Sequence, residues 1–306
     1  MQWRTLKSLV EYLLFLPVNR IARGLSYRGA GRLGSALGGF VWRCGGYRRG
    51  ISLDNLSQAF PGKTRGEITA IARGAYRGYG RALMEMLWSG GAGEEELRRT
   101  MTLENPDVPL AALGRGKGLI LLSGHFGAWE FIVTAMSLRL GRPVIAIAQP
   151  QRNRYIDAVI TKNRNRFGSG TVTMHQSVRE VMQLLRAGKI VGMLGDQSGP
   201  KESLFVEFFG RPAATHRGAA AFSLKYDAPI VMFFFIRQPD GTYRAVYEEV
   251  DRSGLTGTSE ENIVELTRRH TAILERYIRS YPDHWLWMHK RWKHTAFYES
   301  RARNAQ

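Results

Sequence analysis

Hydrophobic positions along the 306-residue chain fall into two regimes. Up to about residue 105 the apolar residues recur at helical spacing and strand signals are few. Ile68, Ile71, Ala75, Tyr76, Tyr79, Leu83, Met86 and Leu87 keep the three-and-four spacing of an amphipathic helix. Pro61-Gly62 marks a turn before it, and Thr64 with Glu67 forms a capping-box pattern at its start. From about residue 106 short β-rich runs alternate with helical ones. The predicted strands are 118–123, 143–148, 171–174, 190–194, 229–236 and 243–250, with helices at 129–140, 154–167, 177–187, 215–225 and 263–278. Near-continuous apolar runs such as Leu119–Leu122 and Ile230–Ile236 suit strands covered on both faces. The expectation is an α/β protein with a central mixed, mostly parallel sheet flanked by helices. It comprises a helical N-terminal region, 1–105, and an α/β catalytic region, 106–306, as one integrated domain.

The segment Leu6–Val18 is the most apolar near the N-terminus, but Lys7 and Glu11 interrupt it and Pro17 is expected to end it. A spanning helix needs about 18–20 apolar residues, and no segment reaches that. The pattern instead predicts a helix lying in a membrane interface, with Trp3, Leu6, Leu9, Val10, Leu13 and Leu14 on or near one face, or else an ordinary core helix. The sequence after the run is a poor signal-peptide cleavage site.

Charge narrows the partners. Lys and Arg number 44 against 26 Asp and Glu, a formal +18, which favours anionic ligands, lipid headgroups, nucleic acid or an acidic carrier protein. Nine of the cations lie within residues 1–50 against the single acid Glu11, and seven lie within 139–166 against Asp157. The single cysteine, Cys44, excludes an internal disulfide and reads as a small core or interface residue. The seven histidines show no metal-ligand spacing, so no metal is expected. Gly114-Arg-Gly-Lys-Gly118 superficially resembles a nucleotide loop. It precedes its strand, and Lys117 is not followed by Ser or Thr, so it reads as a turn into the strand.

Candidate chemistry sits where predicted strands end. The run Gly118–Ser123 leads into Gly124-His125-Phe126-Gly127, with Glu130 five residues beyond the histidine. Ligands of open α/β sheets gather at strand carboxyl ends. Histidine suits proton abstraction near neutrality, and a carboxylate on its other ring nitrogen fixes the tautomer. Gly124 and Gly127 permit close approach of an acyl chain or backbone. The spacing alone leaves open a hydrogen-bonded turn histidine and a glutamate placed for the helix dipole. Three further segments belong with this one: Ile190–Leu194 ending in Gly195-Asp196-Gln197, Phe208-Phe209-Gly210-Arg211-Pro212 running to Thr215, and Tyr281–Lys293, in which aromatics and cations interleave. The run Phe205–Phe209 reads as an acyl-groove lining or as core.

Taken together and in this order, these segments resemble the lipid A biosynthesis acyltransferase family of late lauroyl and myristoyl transferases, to which bacterial phosphatidylinositol mannoside acyltransferases are related. The resemblance runs from Asn55-Leu56 and Phe60-Pro61 to Lys293, with His284 where many members carry Gln. It implies a glycerolipid-acyltransferase-like fold. It also implies transfer of a fatty acyl group from an acyl carrier protein or coenzyme A thioester to a hydroxyl of a (glyco)lipid such as a lipid A precursor. The implied dyad is His125 as general base and Glu130 orienting it. Arg164, with Arg166 close by, corresponds to the family's functional arginine, and Asp196 to its second acid, expected to orient Arg164 or the acceptor. Arg164, Asp196, Gly124, Gly127 and Arg211 are the expected substrate or oxyanion residues. No cofactor beyond the thioester co-substrate is expected. The expected place is the cytoplasmic face of the inner membrane, peripheral or monotopic. The alternatives are a different membrane-lipid acceptor, a lipid hydrolase, or a non-enzymatic membrane- or nucleic-acid-binding protein. No Gly-x-Ser-x-Gly element or nucleic-acid motif supports the last two, and nucleic acid is not an expected partner.

Overall fold

A computed structural model describes residues 2–130, 132–174 and 177–304. Helices α1 (Gln2–Gly24), α2 (Tyr27–Arg43), α3 (Arg49–Ala59) and α4 (Arg65–Ser89) come first, then the short α5 (Glu94–Arg99). Strand β1 (Met101–Leu103) and α6 (Asp107–Gly114) lead into β2 (Leu119–Ser123), α7 (Ile132–Leu140), β3 (Val144–Ala148) and α8 (Arg154–Arg164). Next come β4 (Gly170–Thr173), α9 (Ser177–Arg186), β5 (Ile190–Leu194), β6 (Leu204–Phe208) and β7 (Arg211–Thr215). Helix α10 (Gly218–Tyr226), β8 (Ile230–Arg237), β9 (Tyr243–Glu249), α11 (Glu260–Ser280), a 3-10 turn (Pro282–His284) and α12 (Thr295–Asn304) complete the chain.

Seven strands form one sheet in the order β1-β9-β8-β2-β5-β3-β4, and β6 and β7 form a separate antiparallel hairpin. Every pairing in the sheet is parallel except β8 with β9. The period of two along the central strands divides their side chains between two cores. Ile120, Leu122, Val191, Met193, Met232 and Phe234 enter one; Leu119, Leu121, Ile190, Val231, Phe233 and Phe235 enter the other. The first core is closed by α11 and by Trp285, Trp287 and Trp292, and the second by α7 with Ala82 and Trp88 of α4. The fold is therefore the expected α/β arrangement, a mostly parallel sheet between two helical layers.

Helices α2 and α4 meet through glycine contacts. A Cβ at Gly34 would stand 2.4 Å from Gly80 O, and one at Gly38 2.1 Å from Tyr76 O, so α2 and α4 touch backbone to backbone. At the start of α4, Thr64 accepts from Glu67 N, and the Glu67 carboxylate accepts in return from Thr64 N at 2.8 Å, which is the capping box the sequence predicts.

Three features depart from what the sequence suggests, and one open reading is decided. Helix α1 does not stop at Pro17 but runs through it to Gly24. Proline removes one intrahelical bond and costs a helix interior about 3 kcal/mol, and packing of α1 against α4 and α8 compensates. Cys44 is exposed, because it caps the free C-terminal end of α2. Strand β1 and the β6–β7 hairpin were not expected; β1 is too short to carry a period. Of the two readings of Phe205–Phe209, Phe208 and Phe209 take the core one, Phe208 being wholly buried between Trp285 and Trp292.

The outward side of α1 and α2 is apolar. Leu6, Leu13 and Ile21 are each more than half exposed, Leu14 is 71% exposed and Phe40 64%, with Leu37 and Val41 beside it. The Trp3 side chain lies outside the described residues. Exposed apolar side chains grouped along two helices suit a protein or membrane contact. Among the described residues no helix is long and apolar enough to cross a membrane.

Candidate active site

Register builds the centre. Strands β2 and β5 are adjacent and parallel, with Ser123 paired to Leu194. Residues two places beyond each, His125 and Asp196, therefore leave the sheet at the same level. Gly124 makes the approach possible, since a Cβ there would stand 3.0 Å from Asp196 Cβ and 3.1 Å from its Oδ2. The His125 backbone N–H donates to Asp196 Oδ2 at 2.8 Å, and the His125 ring Nδ1–H donates to Asp196 Oδ1 at 2.8 Å. Trp285 closes the cluster, its indole N–H donating to Asp196 Oδ2 at 2.8 Å.

The turn that carries His125 is clamped from the C-terminal segment. Phe126 and Trp285 form an antiparallel bridge, Leu286 N donates to His125 O, and Gly127 N donates to His284 O. Gly127 has φ +62° and sits so close to Phe235 O that a Cβ would come within 2.3 Å. Its absent side chain admits backbone, not an acyl chain. Asn55, from α3, donates to Trp287 O and His289 O and so fixes the clamp. His289 Nε2 in turn accepts from Ser198 N, just past β5. Trp285, Trp287, Arg291 and Trp292 are buried, Arg291 donating to Ala214 O and Thr215 Oγ1. These aromatics form core and present no face for base stacking.

The electrostatics follow from burial against pairing. Asp196 is 2% exposed, and burial alone would raise its pKa; the adjacent His125 and three donated hydrogen bonds more than offset this and hold it at about 2. Burial would lower the pKa of His125, but the charge and hydrogen bond of Asp196, with Glu130 adding its field, raise it above the ordinary value. Because ionised Asp196 only accepts, the Nδ1–H is fixed and the lone pair is on Nε2. That nitrogen faces the Gln197 side-chain amide at 3.4 Å.

Glu130 is not the carboxylate on the ring. It pairs with Arg164, Oε2 to Nη2 at 2.5 Å, with the side chains 19% and 12% exposed. Glu130 is at the far end of the turn leading into α7, while Asp196 is at the neighbouring strand's end, so adjacency in the sheet overrides closeness in sequence. Asp196, expected to orient Arg164 or the acceptor, orients His125 instead.

Of the two candidate arginines, Arg166 is bound to the end of α4, donating to Ser89 O and, at 2.7 Å, to Ala92 O, which leaves Arg164 at the site. Arg211 is elsewhere: it opens β7 and its guanidinium lies over Trp292, and no described hydrogen bond or ion pair ties it to His125. Gly127 is among the expected oxyanion residues, but the backbone N–H groups of His125, Phe126 and Gly127 are all engaged, by Asp196, Gly124 O and His284 O respectively. The donor described beside Nε2 is the Gln197 side-chain amide. Gln197 lies inside an element the sequence marks, but its role emerges only from the contact with Nε2. Among the described residues no group of three or more His, Cys, Asp or Glu is placed to hold a metal ion.

This arrangement, an imidazole fixed by a buried acid with the lone pair of its second nitrogen at a strand end beside the Gln197 amide, is suited to take a proton from a hydroxyl. The sequence pattern of the bacterial lipid A biosynthesis acyltransferases matches residues 2–294. The chain is 24% identical over 248 residues to a lipid A biosynthesis palmitoleoyltransferase of Escherichia coli K12, covering 80% of this chain and 79% of that one. The same figures hold for a lipid A biosynthesis acyltransferase of Shigella flexneri. Another of that name from Haemophilus influenzae is 25% identical over 179 residues, 58% of this chain and 54% of its own. With the match spanning nearly the whole chain, the α/β fold and the strand-end histidine have a common setting: the protein belongs to the bacterial lipid A biosynthesis acyltransferase family, a family of acyl-transferring enzymes.

Proposed function

We propose that the protein transfers a fatty acyl group from a thioester, carried by an acyl carrier protein or coenzyme A, to a hydroxyl of a (glyco)lipid such as a lipid A precursor. His125 is the general base. Its Nε2 takes the acceptor hydroxyl proton, and the oxygen forms a bond to the thioester carbonyl carbon. The carbonyl π pair moves to oxygen. Collapse of the tetrahedral intermediate then breaks the C–S bond, and the imidazolium returns its proton to the leaving thiolate. The products are an ester and a free thiol. Asp196 orients His125 and stabilises the imidazolium. Arg164, held by Glu130, and the Gln197 amide are the donors for the oxyanion. Glu130 is thereby a positioning residue for Arg164 as well as a charge that favours the imidazolium.

The observation that carries this reading is the Asp196 bond to His125 Nδ1, which leaves the lone pair on Nε2, beside the Gln197 amide. The outward apolar side chains of α1 and α2, flanked by the basic N-terminal residues, favour work at a membrane surface. We place the enzyme there as a peripheral or monotopic protein of the cytoplasmic face of the inner membrane. The test is acyl transfer from radiolabelled acyl carrier protein or acyl coenzyme A to extracted membrane lipids, by wild type, His125→Ala and Glu130→Ala, each checked for folding. Loss of lipid product in folded His125→Ala supports the base. Undiminished transfer by that variant overturns the mechanism, and no transfer by wild type from either donor overturns the activity.

A further inference from the structure

A concavity of about 340 Å³ opens between α2, α4, the end of β8 and the 3-10 turn, and its lining includes Arg73, Arg77, Arg81, Arg237, Ser35 and Asp283. Three of the arginines recur every fourth residue on α4 and so share one stripe. Two are neutralised. Arg81 is bound to the buried Glu85 at 2.6 Å and to Gly241 O, and Arg237 reaches Asp283 at 3.2 Å. Arg73 and Arg77 meet no carboxylate among the described residues. Arg77 is held in the cleft by its Nε–H donating to Ser35 Oγ at 3.2 Å. Glycines between the arginines give the cleft its floor. A Cβ at Gly74 would stand 2.9 Å from Asp283 Cβ, and one at Gly78 3.3 Å from Arg237 Nη1, so the turn and Arg237 come directly against the helix.

Like charges four residues apart repel on a helix, and here Arg73 and Arg77 converge on a hollow whose lining carboxylate, Asp283, is already paired with Arg237. We infer that this cleft is a phosphate-binding subsite, taking a phosphate monoester or diester on Arg73 and Arg77. Planar guanidinium forks match phosphate oxygens in pairs, and the volume falls within the range of small-ligand pockets, roughly 300–1,000 Å³. The cleft shares Gly78 and Arg237 with a narrow crevice that runs to Tyr79, Trp129 and Trp285. Trp129 packs against His125 with ring centroids 5.6 Å apart, and Trp285 donates to Asp196. A ligand anchored here lies beside the catalytic cluster. Its identity rests on the acyl-transfer reading: the phosphate belongs either to the headgroup of the acceptor lipid or to the phosphopantetheine arm of the donor.

The test is calorimetric titration of the full chain with inorganic phosphate, short-chain phosphatidic acid and 4′-phosphopantetheine, at ionic strength matched with chloride. Wild type is compared with Arg73→Gln/Arg77→Gln and with Arg99→Gln/Arg186→Gln, which removes the same charge from exposed positions outside the cleft. Saturable binding weakened about tenfold or more by the first pair only is expected. A lipid-only effect assigns the cleft to the acceptor, and a phosphopantetheine-only effect assigns it to the donor. Equal weakening by both pairs, binding of inorganic phosphate alone, or no saturation beyond chloride overturns the subsite. Because no turnover is needed, this result is separate from any failure of acyl transfer.

Discussion

Replacing Asp196 by asparagine changes no volume and one charge, and the surroundings of the carboxylate make the consequence calculable. Three donors converge on its two oxygens: His125 N and Trp285 Nε1 on Oδ2, and His125 Nδ1 on Oδ1. An amide offers one oxygen. If that oxygen takes the Oδ2 place, the NH₂ faces Nδ1, which must become an acceptor; the ring proton moves to Nε2 and the base is lost. If it takes the Oδ1 place, the NH₂ opposes two buried donors, each left unsatisfied at about 1–3 kcal/mol. The first arrangement leaves fewer groups unpaired and is the expected one. A wrong tautomer with intact geometry lowers turnover about 10⁴-fold in the serine-protease triad, so a fall of about 10³-fold or more, roughly 4 kcal/mol in the barrier, is expected here. The assay is initial-rate acyl transfer across pH for wild type, Asp196→Asn and Glu130→Gln. In wild type the base must be neutral, so the rate rises with pH through a His125 pKa lying above 6.5. Residual activity of Asp196→Asn has its limb at lower pH, since the raising charge is gone. Retention of activity within about tenfold of wild type, with an unmoved limb, would refute the assignment of Asp196 to the ring.

Three further expectations follow from other parts of the molecule. Gly38→Ala sets a methyl 2.1 Å from Tyr76 O, so α2 must separate from α4, at about 2 kcal/mol or more and about 5 °C in Tm by thermal denaturation; an unchanged Tm would refute the contact. Leu13→Asp/Leu14→Asp alters side chains 56% and 71% exposed, so folding stability should hold, whereas co-sedimentation with anionic vesicles should fall about tenfold or more; unchanged sedimentation would remove α1 from the membrane surface. His270 is buried with Nε2 unpartnered and its pKa is pushed down to about 3. Its folded pKa lies below the unfolded value, so the unfolded chain binds the proton first as pH falls below 6.5. Stability is whole above that pH and declines by about 1.4 kcal/mol per pH unit toward pH 3. His289, lowered to about 4, adds to the same slope. Chemical denaturation of His270→Leu at pH 7 and pH 5 should therefore show a smaller loss than wild type, and an equal loss would refute it.

Much of the architecture is present in the local pattern, because period, capping and turn chemistry act over a few residues. The apolar runs at β2, β5 and β8, the Thr64 capping box and the helix of residues 260–280 are all written in short segments. So is the position of His125 at a strand end, where the order of strands in an α/β sheet gathers ligands. What acts across the sheet is not written locally. Sequence spacing offers Glu130 to His125, since they are five residues apart; β2–β5 register delivers Asp196 from 71 residues away, and Glu130 turns to Arg164. The engaged amides of residues 125–127 likewise depend on the clamp from residues 284–286. Arg164 and Arg166 look alike in sequence and differ only in which carbonyls or carboxylate lie within reach. Residue types and their order carry the family resemblance, whereas strand register and the packing of distant segments decided that Asp196, not Glu130, is hydrogen-bonded to the His125 ring.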